Sequence, residues 1–188
     1  MSLAELFVVA AGLSMDAFAV GVCAGLTMRR ATFKKAAVVG LYFGFFQAVM
    51  PLLGYFAGAF FAGSIAAFDH WAAFGLLCFL GGKMIAGSFK SGKCPDAEPS
   101  LRPSFMLPLA FATSIDALAA GVSFAFIHAD IVQAALIIGA VTFLTSAAGV
   151  KIGKTAGARF ASKAEFAGGL ILVLIGTRIL LEHLRGYA

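Results

Sequence analysis

Apolar residues run through this chain in stretches long enough to cross a bilayer, parted by short links that are basic or turn-forming. A membrane helix needs about 20 such residues, and it must satisfy its backbone polar groups internally because hydrocarbon offers no partners. Six segments meet that length, near residues 3–27, 36–63, 70–89, 105–127, 131–156 and 165–184. With 61% hydrophobic and 12% charged residues, the chain has too little polar surface for a soluble domain of its size. The expectation is an all-α integral membrane protein with six transmembrane helices.

The links set the orientation. Lys and Arg gather in the first link (Arg29, Arg30, Lys34, Lys35), the third (Lys90, Lys93, Arg102) and the fifth (Lys151, Lys154, Arg159, Lys163). The second and fourth carry none. Basic residues stay on the cytoplasmic side, so the odd links are expected inside and both termini outside. The net charge of +5 is therefore a signature of lipid topology and not of nucleic-acid binding. No basic residue precedes the first apolar run, which reads as a helix and not as a cleaved signal. Asp69 and Asp130 open helices and read as N-caps. Cys23, Cys78 and Cys94 lack zinc-type spacing and read as small fillers and a loop thiol, not as a disulfide framework.

Two membrane segments are written in nearly the same words. Ser14-Met15-Asp16-Ala17-Phe18-Ala19-Val20-Gly21 lies in the first, and Ser114-Ile115-Asp116-Ala117-Leu118-Ala119-Ala120-Gly121 in the fourth. Gly44, Gly54 and Gly58 match Gly139, Gly149 and Gly153 at one offset, and Gly75 and Gly82 match Gly169 and Gly176 at another. The chain thus divides into a three-helix repeat over 1–90, a cytoplasmic loop over 91–103 and a second repeat over 104–188. Three is odd, so the second copy enters from the opposite face. Two inverted-topology repeats are a common plan for alternating-access carriers, with the site at the midplane.

A carboxylate at bilayer depth costs roughly 3 kcal/mol on insertion scales and is normally retained for function. Asp16 and Asp116 together balance one divalent cation, and oxygen donors suit hard ions such as Mn²⁺, Mg²⁺ and Ca²⁺. Emptied of metal, the same pair is able to carry protons, which makes proton exchange chemically natural. Gln47 in the second span is a further oxygen donor, and Pro51 frees its backbone carbonyl by offering no N–H, a device expected to break that helix. Thr142 is the equivalent of Gln47 in the fifth span. Ser14 and Ser114 are candidate ligands, although serine also back-bonds to its own helix. Lys83 and Arg178, inside the third and sixth spans, are candidate gating or charge partners for an empty site. No P-loop, catalytic constellation or cofactor motif accompanies these residues, so a secondary transporter and not an enzyme is expected. An exporter of a small organic cation or amino acid, and a cation channel, are the competing readings of the same carboxylates.

The chain resembles the bacterial manganese efflux pumps, the MntP-like family of the wider LysE-type exporter superfamily. The resemblance rests on Ser14-Met15-Asp16-Ala17-Phe18-Ala19, Met50-Pro51-Leu52-Leu53-Gly54-Tyr55, His70-Trp71-Ala72-Ala73-Phe74, Phe79-Leu80-Gly81-Gly82-Lys83-Met84 and Thr113-Ser114-Ile115-Asp116-Ala117. It covers nearly the whole chain. It implies an inner-membrane Mn²⁺ exporter in which Asp16 and Asp116 are needed for export. Some members carry an acidic residue where this chain has Gln47, and Arg where it has Lys83; the first departure removes one negative charge.

Overall fold

The structure is a computed structural model that describes residues 3–28, 30–62, 101–126 and 129–156, with single positions between 74–89 and 163–181. Six described helices follow in order: α1 (Leu3–Leu13), α2 (Met15–Thr27), α3 (Phe33–Ala62), α4 (Pro103–Thr113), α5 (Ile115–Phe126) and α6 (Ile131–Ala156). Phe33–Phe60 and Ile131–Gly153 are each long and apolar enough to cross a membrane alone. The pairs α1–α2 and α4–α5 pass the same test jointly, each bent by 41° and 40° at a one-residue break. That makes two to four candidate spans among the described residues.

The polarity of the fold is inverted relative to a soluble protein. Leu41, Phe45, Phe56, Phe60, Leu136 and Leu144 are all more than 60% exposed, whereas Ser14, Gln47, Ser114, Thr142 and Ser146 are at most 1% exposed. Water would drive the first set inward; lipid does not, because its tails are as apolar as the side chains. The buried polar set then has to be held by protein.

Glycines define how the helices meet. A Cβ on Gly21 would fall 2.6 Å from the Ser146 carbonyl oxygen, and one on Gly149 would fall 2.7 Å from that of Phe18. Added Cβ atoms on Gly25 and Gly153 would strike the backbone of Val150 and Val22. Contacts that advance together in both helices mean that α2 and α6 run parallel. Gly54 meets Leu118, Gly58 meets Val122 and Gly121 meets Pro51, so α3 and α5 are parallel as well. The central pair is antiparallel, with Gly40 against Phe143 and Gly44 against Gly139. Small residues serve here because van der Waals packing, not water exclusion, holds membrane helices together, and it requires close backbones. Among the scattered positions further on, Gly81 faces Gly169 in the same manner, whereas Gly75 and Gly82 meet no atom of the described residues.

Two apolar clusters lie on either side of these crossings. Leu6, Val9, Ala10 and Leu13 of α1 pack with Ala120 and Phe124 of α5 and with Ile131, Ala134 and Ile138 of α6. Met106 and Ala110 of α4 pack with Ala17 of α2, with Ala36, Val39 and Phe43 of α3, and with Val150 of α6. Each half-helix that precedes a break therefore seals against elements at one end of the bundle.

At the start of α6, Asp130 accepts the N–H groups of Val132 and Gln133, both at 3.1 Å, as an N-cap should. Asp69 lies outside the described residues. Cys23 takes part in a disulfide, contrary to the reading of the cysteines as isolated fillers, while Cys78 is a free thiol.

Candidate metal centre

Both breaks arise from the same three-residue pattern, Ser-X-Asp. Ser14 keeps helical φ, but its ψ opens to −7°; at Ser114 φ is −98° and ψ is 8°. Each serine hydroxyl turns back onto the preceding turn. Ser14 Oγ donates to the Ala11 carbonyl at 2.9 Å, and Ser114 Oγ donates to that of Ala110 at 2.7 Å. Such back-bonding competes with the ladder and bends helices. Two residues on, each aspartate completes the break. Asp16 Oδ1 accepts the N–H of Ala17 at 2.6 Å, and Asp116 Oδ1 accepts that of Ala117 at 2.8 Å. Those N–H groups would otherwise have bonded the carbonyls of Leu13 and Thr113. The ladder resumes with Phe18 to Ser14 and Leu118 to Ser114.

Asp16 and Asp116 thus sit in the first turns of α2 and α5, where the unpaired N–H groups of a helix start favour negative charge. Asp116 is 6% exposed; Asp16 is only part-buried. Gln47 is 1% exposed and lies on α3, between Phe43 of one cluster and Pro51 against Gly121. Its Nε2 donates to the Leu13 carbonyl at 3.0 Å, taking the acceptor that the first break released. Its Oε1 is buried with no hydrogen-bond partner among the described residues. Thr142, fully buried on α6, likewise has an unpartnered Oγ1. The Thr142 backbone carbonyl accepts Ser146 Oγ at 2.6 Å.

The structure therefore places Ser14 and Asp16 at the first break, where Gln47 bonds the Leu13 carbonyl, and Ser114 and Asp116 at the second, with Thr142 at the α6 position equivalent to Gln47. It corrects one expectation. α3 continues as a helix through Pro51, and the chain breaks at Ser14 and Ser114 instead. A proline in a long helix loses one bond, but close neighbours hold the remainder in place; Ser-X-Asp removes donors and offers substitutes. Lys83 and Arg178 lie outside the described residues. Among the described residues no three His, Cys, Asp or Glu side chains cluster. Asp16, Asp116, Gln47 and Thr142 each offer oxygen, the donor type that hard cations prefer.

Bent apolar helices, each with a carboxylate just past its break, define an all-helical membrane protein. A family model described as "Putative manganese efflux pump" matches residues 30–180. A relative from Desulfitobacterium hafniense (strain Y51) is 53% identical over 96% of this chain and 95% of its own. One from Acetivibrio thermocellus is 49% identical over 98% of this chain and 93% of its own, and one from Mannheimia succiniciproducens 48% identical over 97% and 98%. All three bear the name "Putative manganese efflux pump MntP". The chain belongs to this family. No solved structure matches it.

Proposed function

We propose that this chain is a secondary transporter that exports Mn²⁺ from the bacterial cytoplasm across the inner membrane. In this reading it has six spans in two inverted three-helix repeats. The observation that carries the reading is the recurrence of one broken-helix unit, Ser-X-Asp at a bend near 40°, on segments that run in opposite directions. α2 is parallel to α6 and α5 to α3, while α3 and α6 are antiparallel. α2 is thereby opposed to α5 and α3 to α6, as inversion requires.

Asp16 and Asp116 would supply the two charges that neutralise the ion, and the buried Gln47 and Thr142 oxygens would replace part of its water shell. Removing the ion leaves like charges in a poorly solvated centre, which favours uptake of protons and hence exchange. The α1 and α4 clusters would act as alternate seals, one toward each face. Orientation follows the ends of the helices. Arg30, Lys34, Lys35, Arg102 and Lys151 share one end of the bundle, and Glu5 and Asp130 share the other. The basic end is assigned to the cytoplasm. The supporting relatives carry manganese efflux in their names; the metal and its direction come from them.

The test is Mn²⁺ flux into proteoliposomes, with and without a pH gradient, beside Asp16→Asn and Asp116→Asn. Saturable flux lost in either variant, with the protein still folded and inserted, is the expected result. Full flux in either variant would remove the paired-carboxylate centre.

A further inference from the structure

We infer that the main-chain carbonyl of Thr113 and the hydroxyl of Thr142 form an additional oxygen pair for the transported cation, so that the ion is held more closely by the second break than by the first. The inference rests on the carrier reading above and adds to it the Thr113 main-chain carbonyl.

Each break releases the carbonyl one turn before its first rebonded alanine, Leu13 in one half and Thr113 in the other. The Leu13 carbonyl is filled by Gln47 Nε2 at 3.0 Å. Helix contacts recur between the halves with α3 residues matched to α6 residues at one offset: Gly54 and Gly149 meet Leu118 and Phe18, and Gly58 and Gly153 meet Val122 and Val22. Extended by the same offset, that register pairs Thr142 with the Thr113 carbonyl as Gln47 is paired with that of Leu13. Threonine is too short to reach as glutamine does and has no amide to give. The carbonyl of Thr113 has no hydrogen bond among the described residues, and the Thr113 hydroxyl is turned backward to Leu109 and Ala110, at 3.1 and 3.0 Å. Thr142 Oγ1 is fully buried and also lacks a partner. Two neutral oxygens thus stand unfilled at the second break, beside the more deeply buried of the two aspartates, where the first break has one of its equivalents already satisfied. Buried oxygens are costly to leave unpaired. A hard cation that takes both, with Asp116, removes that cost and matches the preference of such ions for carbonyl and hydroxyl oxygen.

Full-length protein in proteoliposomes tests this through Mn²⁺ KM, Vmax and Cd²⁺ response for wild type, Asp116→Asn, Thr142→Val, Thr142→Ser and Thr142→Cys. Thr142→Val should raise KM roughly tenfold, the scale of losing one supporting metal contact, with Vmax little changed. Thr142→Ser, which keeps the oxygen, should restore it. Thr142→Cys puts sulfur at the same point and should make transport of Mn²⁺ sensitive to low Cd²⁺, a soft-metal response that a purely structural threonine cannot produce. Wild-type KM in Thr142→Val, or no gain of Cd²⁺ sensitivity in a folded Thr142→Cys, would overturn the inference while Asp116-dependent flux left the carrier reading intact. Absence of Mn²⁺ flux in wild type would remove both.

Discussion

Replacing Gly21 by alanine should weaken the bundle, and replacing Gly82 should not. The new Cβ at position 21 would lie 2.6 Å from the Ser146 carbonyl oxygen, whereas ordinary contact begins near 3.4 Å. α2 and α6 must therefore part by roughly 0.8 Å, and a packed interface yields such a shift only by losing contacts along its length. Overpacking of this kind costs about 1–3 kcal/mol. Both substitutions also gain about 1 kcal/mol of helix propensity, because glycine is a poor helix former. At Gly82 no atom of the described residues lies within 4 Å of the added one, so only the gain remains. The common gain cancels in the difference between the two variants, which isolates the overpacking cost. Thermal unfolding of detergent-purified protein, followed by the loss of monodisperse material, measures that difference. Equal unfolding temperatures for Gly21→Ala and Gly82→Ala would refute the close α2–α6 packing and the parallel register built on it.

Two further outcomes are expected. Asp130→Ala should lower stability by about 1 kcal/mol through loss of the cap on Val132 and Gln133, with Asp130→Asn close to wild type and transport unaffected in both; thermal unfolding read alongside flux checks it. Single cysteines introduced at Lys34 and at Lys151 should be labelled from the cytoplasmic side by a membrane-impermeant reagent, and one at Glu5 from the outside; the reverse pattern would invert the direction assigned to transport.

The aspartates and the long apolar runs were legible in the sequence because each violates an expectation: a charge where charge is expensive, and apolar length where a soluble fold has none. The expected spans over 36–63 and 131–156 match α3 and α6 within a few residues. The site of helix breakage was harder to see. Pro51 is the stronger local breaker by propensity, yet α3 passes through it, held by Gly54 and Gly58 on one side and Gly44 on the other. Ser14 and Ser114 break the chain because hydroxyl and carboxylate act together on neighbouring backbone groups, a cooperation that single-residue propensities do not express. The dual part of Gln47, with one amide atom fastening the Leu13 carbonyl and the other buried without a partner among the described residues, depends on a residue 34 positions away. No local pattern carries that distance.

The pairing of α2 with α6 also governs the order in which the molecule can be completed. Gly21 and Gly25 are shaped for the backbone of Ser146 and Val150, which a ribosome adds more than 120 residues later. During that interval the first bent helix, with its aspartate, is in the membrane without the surface that it fits. The second half meets no such delay, because α3 is already present when α5 arrives. A chain cut between its halves would therefore yield two fragments, each lacking the partner for its own bent helix, and the fit of α2 waits on α6.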